Sequence, residues 1–336
     1  MLIRRSAGVI FRWTALVSAL CLGAVLLIAY LPMKTRYPAP VTPQPGDFPA
    51  AKAAIENKIA SAPSTLSAAG RPRAFLHGGP TGQVFVLLHG LTNSPEQFDK
   101  LGRMLFERGH NVVIPLTPGH GKADLMTDKL RTFTAQAMLN AANEAITLSR
   151  GLGRHLTVAG LSINGTTAAW IAQNRPDVDH AVLLAPFLAP RGLPQWAIPP
   201  FSRLLVRLPN VFLWWDPIHK AELAGSPYAY PRFSTRSIGE TMALGLDVFN
   251  ASGQSAPACG SLLLVTTASD LAASNAAAAR LAANWKARSP GVVETYEFPK
   301  SEKVPHDFID PHQSDQQVDL VYPRLIEMLE TGRPPR

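Results

Sequence analysis

An α/β fold, with a mostly parallel sheet doubly wound by helices, is what this chain of 336 residues predicts. Three observations predict it. From about Arg71 onward, short apolar runs alternate with stretches of helical periodicity, the order expected of βαβ units. The short runs are apolar at nearly every position, as in Val84-Phe85-Val86-Leu87-Leu88, so they suit strands covered on both faces. One of them, His155 to Leu161, runs directly into a helical pattern, with Gly160-Leu161-Ser162-Ile163-Asn164-Gly165 at the junction.

The elements follow in order. Arg4, Arg5 and Arg12 precede an uncharged stretch from Trp13 to Leu31, and Lys34 and Arg36 follow it. Nineteen residues at about 1.5 Å rise nearly cross a hydrocarbon core of about 30 Å. No small-x-small exit site follows the apolar run before Lys34, and Leu20 before Cys21 is bulky where a lipoprotein signal wants a small residue. Residues 13–31 are therefore expected to be a single-pass anchor, with a cleaved secretory signal as the alternative. The basic bias before the span places residues 1–12 in the cytoplasm and the rest in the periplasm or outside the cell. Residues 32–70 hold a Pro-rich spacer with Pro38, Pro40, Pro43, Pro45 and Pro49, and a short amphipathic helix from Phe48 to Ala60.

In the remainder, 71–336, strands are expected at Val84–Leu88, Asn111–Ile114, His155–Leu161, Ala181–Ala185, Leu262–Thr266 and Val292–Phe298. Helices are expected at Pro95–Arg108, Thr134–Leu152, Ile163–Asn174, Ser274–Arg288 and Asp315–Leu329. Between about 187 and 257 the rhythm breaks. Prolines and aromatics, among them Trp196, Phe201, Trp214, Trp215 and Phe233, fill a stretch too long for an ordinary αβ connection. It reads as an insertion capping the C-terminal edge of the sheet. No internal repeat is visible.

Composition excludes several classes. The net charge of +8, from 32 basic and 24 acidic residues, is scattered rather than gathered among aromatics, which argues against a nucleic-acid partner. Such charge suits attraction to anionic headgroups. Of the two cysteines, Cys21 lies in the apolar N-terminal run and Cys259 in the globular part, so no disulfide framework forms. No Cys/His cluster has metal-ligand spacing, and no cofactor or metal is expected. Oligomeric state is not legible.

Ser162 sits at the strand-to-helix junction, where a tight turn thrusts its side chain out at the sheet edge and aims a helix N-terminus at charge forming there. With His89-Gly90-Leu91-Thr92 after one strand and Pro118-Gly119-His120-Gly121 after the next, this stretch resembles the α/β-hydrolase superfamily, in particular small serine carboxylesterases and monoacylglycerol lipases. The resemblance runs from about Ala74 to Leu329. It departs at Asn164, where that family usually has glycine or another small residue two positions after the serine; Gly165 matches the next position. What the resemblance implies is a serine nucleophile, Ser162, followed in chain order by an acid, Asp270, and a histidine, His306. Both lie just past apolar strands. Its oxyanion donors would be the backbone N–H groups of Leu91 and Ile163. Rival candidates are His312, His120 and His89 for the base, and Asp307, Asp310 and Asp247 for the acid.

The expected reaction is hydrolysis of carboxylic esters, apolar or acyl-glycerol-like, through an acyl-enzyme. A small-molecule or lipid ester is the expected partner, along with the membrane through the N-terminal helix. A thioesterase, amidase or acyltransferase would use the same residues, and a non-catalytic tethered binding module would keep the fold alone. The aromatics of the insertion either form its own small core or line an acyl-chain channel over Ser162. Trp214-Trp215 also suits a bilayer interface.

Overall fold

The computed structural model describes residues 2–33, 37–38, 46–220 and 225–335. Of the residues named above, Lys34, Arg36, Pro40, Pro43 and Pro45 lie outside the described residues. An N-terminal helix, α1, spans Leu2–Tyr30, starting before the expected span. Its Trp13–Tyr30 stretch has a mean hydropathy of 2.1, which is the length and composition of a membrane span or a signal sequence. Helix α2 is Phe48–Ala60 as expected, with Asp47 Oδ1 accepting from the Ala50 N–H at its start.

The body opens with β1 (Arg73–Phe75), β2 (Thr81–Leu88), α3 (Asp99–Glu107) and β3 (Asn111–Ile114). Helix α4 (Ala135–Ser149), β4 (Gly153–Leu161), α5 (Ile163–Asn174) and β5 (His180–Leu184) follow. Next come α6 (Ile198–Arg207), β6 (Phe212–Trp214), β7 (Arg232–Ser234) and α7 (Thr235–Ser252). The chain closes with β8 (Ser261–Thr267), α8 (Asn275–Arg288), β9 (Val293–Phe298) and α9 (Val318–Thr331). Among the described residues the main sheet has seven strands in the order β1-β3-β2-β4-β5-β8-β9. All its pairings are parallel except β1 with β3. This is the α/β-hydrolase fold.

Period-two alternation sorts the strand residues between two cores. Val84, Val86 and Leu88 of β2 face the layer containing α2, α4, α5, α7 and α8. Phe85 and Leu87 face the layer of α3 and α9. Both sets are fully buried, which is why the strands read as unbroken apolar runs. The chain leaves β2 toward β3 on one side and returns to β4 on the other. That reversal opens a crevice beyond the C-terminal ends of β2 and β4, the place where open α/β sheets bind ligands.

Several elements differ from expectation. Strand β1 is a three-residue antiparallel edge, too short to show a pattern. The last helix starts at Val318 rather than Asp315, because the residues before it turn around the buried Asp310, whose carboxylate accepts from the His312 N–H. The segment 187–257 divides in two. Helix α6 and the β6–β7 hairpin lie over the crevice, where Ile198, Phe201 and Leu205 join Phe187 and Ile238 in a separate small core. Helix α7 belongs to both parts: Ile238 and Met242 enter the small core, whereas Leu244 and Val248 enter the core beneath the sheet.

Candidate active site

Ser162 adopts φ 58° and ψ −113°, a left-handed conformation that costs a non-glycine residue energy and persists only when surrounding bonds enforce it. Three backbone bonds enforce it here. The Ser162 N–H donates to Leu184 O at 2.9 Å, and Ser162 O accepts from the N–H groups of Phe187 at 2.9 Å and Thr166 at 3.1 Å. The turn is so tight that a Cβ at Gly160 would lie 2.0 Å from Asn164 O, and one at Gly165 would lie 2.8 Å from Pro186 Cα. Glycine at these two positions is therefore a packing requirement. Asn164 is accommodated by pointing its side chain away from both contacts. Its amide nitrogen donates to His89 O at 2.6 Å and to Thr117 Oγ1 at 2.9 Å.

Asp270 follows β8 and His306 follows β9, and the parallel register brings both strand ends beside Ser162. His306 Nε2 lies 3.0 Å from Ser162 Oγ, and His306 Nδ1 lies 2.7 Å from Asp270 Oδ2. The other carboxylate oxygen accepts from the N–H groups of Ala272 and Ala273, each at 2.8 Å. Burial opposes charge on Asp270, but the His306 hydrogen bond and charge and these two N–H groups outweigh it. Its carboxyl is held below the usual range. The three residues thus form one hydrogen-bonded row that meets, through Ser162 and His306, a cavity of about 900 Å³, which Leu91 and Ile163 also line.

The rival residues are engaged elsewhere. His89 is fully buried, and burial together with the neighbouring His120 pushes its imidazolium down to about 3. Its Nε2 accepts from the Thr117 N–H at 3.1 Å, so it braces two loops. Burial pushes His120 down to about 4. His312 Nδ1 lies 3.1 Å from the Tyr228 hydroxyl. Asp310 accepts from Tyr228 at 2.5 Å, from Asn93 at 3.0 Å and from Ser226. Asp307 accepts from Gln97 at 2.8 Å, and burial next to Asp310 raises its carboxyl to about 6. Asp247 accepts from the Trp170 indole at 3.3 Å, away from the cavity.

Sequence reading overlooked the residues that hold the loop after β2. Gln97 Oε1 accepts from the Gly90 N–H at 2.7 Å. Thr92, at φ 63°, accepts from the Tyr230 N–H at 2.8 Å through its carbonyl and from the Trp215 indole at 2.9 Å through its hydroxyl. Tyr230 and Trp215 lie more than a hundred positions downstream, and nothing local in the sequence marks such a partnership.

Solved structures of the same fold include one of the two metagenome-derived lipolytic enzymes LipS and LipT. It has a TM-score of 0.59 and 17% identity, over 80% of this chain and 99% of that one. A monoacylglycerol lipase from Paleococcus ferrophilus gives a TM-score of 0.56 and 20% identity, over 77% and 97%. A soluble variant of monoglyceride lipase from Saccharomyces cerevisiae, in complex with a substrate analog, gives 0.57 and 13%, over 77% and 91%. No curated protein matches the sequence. The family model described as serine aminopeptidase, S33 (Hydrolase_4) matches residues 79–289, well over half of the chain. With the sheet, the turn at Ser162 and this match in agreement, the chain belongs to the S33 serine aminopeptidase family of α/β-hydrolases.

Proposed function

We propose that this protein hydrolyses carboxylic esters with an apolar acyl part through an acyl-enzyme on Ser162. The observation that carries this reading is the hydrogen-bonded row Ser162–His306–Asp270, of which Ser162 and His306 line the cavity. An ionised Asp270 keeps the imidazole proton on Nδ1, leaving Nε2 to accept the Ser162 hydroxyl proton as Oγ attacks the ester carbonyl. The resulting oxyanion is held by the N–H groups of Ile163 and Leu91. His306 returns the proton to the leaving alkoxide, and water activated the same way releases the acid.

The cavity supports the substrate class. Its lining includes two chemically distinct sets, the apolar Phe201, Leu205, Leu213 and Phe233 and the polar Asn93, Gln313 and Asp315. An acyl chain suits the first and a polar alcohol such as glycerol the second. The lipolytic activities named for the structural neighbours agree with this reading. Helix α1 serves as an uncleaved membrane anchor, with the hydrolase domain on the periplasmic or outer side.

The test is a fluorophosphonate probe followed by mapping of the adduct. Labelling is expected at Ser162, absent in Ser162→Ala and much slower in His306→Ala; a folded protein that takes no probe would rule the reading out. Across p-nitrophenyl esters, kcat/KM is expected to rise from acetate toward medium chains, and a preference for acetate excludes the apolar acyl site. A second reading, removal of N-terminal residues from peptides, is favoured by the family's description and by the Asp315 carboxylate in the cavity. Aminoacyl p-nitroanilides turned over faster than the esters would select it.

A further inference from the structure

We infer that Asn164 is a positioning residue that locks the two oxyanion donors to one another. The inference rests on the acyl-enzyme reading above and adds a residue to it, at the one position where the nucleophile turn departs from the small residue usual in related hydrolases. Asn164 is fully buried, directly after Ile163 in the first turn of α5. Its Nδ2 donates to His89 O and Thr117 Oγ1, so it spans from the nucleophile helix to the loops after β2 and β3. The orientation of the amide is determined by chemistry: His89 O is a carbonyl and accepts only, so the NH₂ end must face it. The Oδ1 end is buried with no hydrogen-bond partner among the described residues. A buried amide whose NH₂ end makes two hydrogen bonds to neighbouring loops does more than fill space, which an apolar side chain does without the cost of burying a polar group.

What the amide holds is the backbone that carries Leu91. His89 O lies two residues before the Leu91 N–H, in a loop whose other ties come from elsewhere: Gln97 on Gly90 N, Thr117 N on His89 Nε2, and Tyr230 N on Thr92 O. Among these ties, Asn164 alone begins on the helix whose first residue supplies the second donor, Ile163 N–H. Oxyanion donors act through their separation, because they must meet the developing charge at about 2.7–3.1 Å without rearranging. A loop free to move by half an ångström relative to α5 loses part of that stabilisation while ground-state binding of the ester is little changed.

The experiment compares wild type with Asn164→Ala, Asn164→Asp and the milder Thr117→Val, all as full chains in detergent. The readouts are kcat and KM for p-nitrophenyl butyrate, the affinity of an alkyl trifluoromethyl ketone, and the endpoint of fluorophosphonate labelling as a count of folded sites. Asn164→Ala is expected to lower kcat per labelled site by roughly 10- to 100-fold, with KM within about threefold and ketone affinity falling by the same factor as kcat/KM. Asn164→Asp, which loses the donor but keeps the shape, is expected to fall with it, and Thr117→Val by a smaller factor. Should Asn164→Ala not fold, Asn164→Asp and Thr117→Val carry the comparison. Wild-type kcat per labelled site in the folded variants overturns the inference. So does a fall in kcat that leaves ketone affinity unchanged, or one accounted for by fewer labelled sites. If wild type itself neither labels at Ser162 nor turns over ester, the ester-hydrolase reading fails and takes this inference with it; wild-type turnover shared by folded Asn164→Ala removes the inference alone.

Discussion

Asp270 does two things at once: it caps its own loop through two N–H groups and it fixes the His306 ring. Replacing it with asparagine separates the roles. The amide oxygen still accepts one set of bonds, but its NH₂ end no longer offers a charge to the imidazole and favours the wrong tautomer. Asp270→Asn is therefore expected to lower kcat for ester hydrolysis by roughly 10³- to 10⁴-fold, with slower but complete fluorophosphonate labelling at Ser162. Loss of less than about tenfold would remove Asp270 from the acid role. Nearby, Asp307 shows the opposite response of a carboxyl to its surroundings. Buried next to a second carboxylate, it is raised where Asp270 is depressed. Asp307 is raised by burial and by the Asp310 carboxylate beside it, whereas Asp270 has the His306 ring and two N–H groups to offset its burial.

At the scale of elements, helix α6 connects the cavity to the N-terminal helix. Its Phe201 and Leu205 line the cavity. On the same helix, Arg207 donates to Ile28 O at 2.9 Å, Leu31 O at 3.0 Å and Pro32 O at 2.7 Å, and Arg203 donates to Ala29 O at 3.3 Å. The last carbonyls of a helix have no intrahelical partner and carry the negative end of its dipole, so guanidinium groups are their natural caps. With Arg203→Met and Arg207→Met together, the end of α1 is expected to lose about 1 kcal/mol. Amide hydrogen exchange at Leu27 to Leu31 then speeds by roughly fivefold, with exchange in β4 and β5 unaltered. Equal exchange in the double variant would mean that the arginines are not what hold α1 to α6.

For the whole molecule, buried histidines set the response to acid. Burial pushes His89 down to about 3 and His120 and His180 to about 4. In the unfolded chain such residues titrate near about 6.5. Between that value and the folded one, the unfolded state binds more protons, so stability rises with pH there and is lost as pH falls from about 6.5 toward 4. Carboxylates held low by cations, Asp99 and Asp177 among them, add a second loss below about 4. His180 lies at the start of β5, away from the cavity, with Nδ1 2.8 Å from Ser261 Oγ. His180→Gln is expected to flatten the dependence of unfolding free energy on pH between about 6 and 4.5 by up to ~1.4 kcal/mol per pH unit. Urea melts at several pH values measure this, and an unchanged slope would mean that His180 is protonated in the folded protein.

Much of this architecture is local and therefore legible in the chain. Strands buried on both faces must be apolar throughout, so β3, β4, β5 and β8 announced themselves, and α2 and α5 were readable to the residue. The turn around Ser162 was legible for the same reason: its tight backbone admits only glycine at 160 and 165. The resemblance around Ser162 made Asp270 and His306 candidates before any distance was known, and both follow strands whose ends converge in a parallel sheet. The β6–β7 hairpin, α6 and the division of 187–257 were not legible, because amphipathic pieces that fold over a crevice take their pattern from the surface they cover. Nor were the partners of His89 O, Gly90 N and Thr92, or the two arginines beneath α1. Sequence by itself determined the candidate residues and the strands that carry them. Only the tertiary structure decided what holds those residues still, because a hydrogen bond between positions 75 or 123 apart leaves no periodicity in either segment.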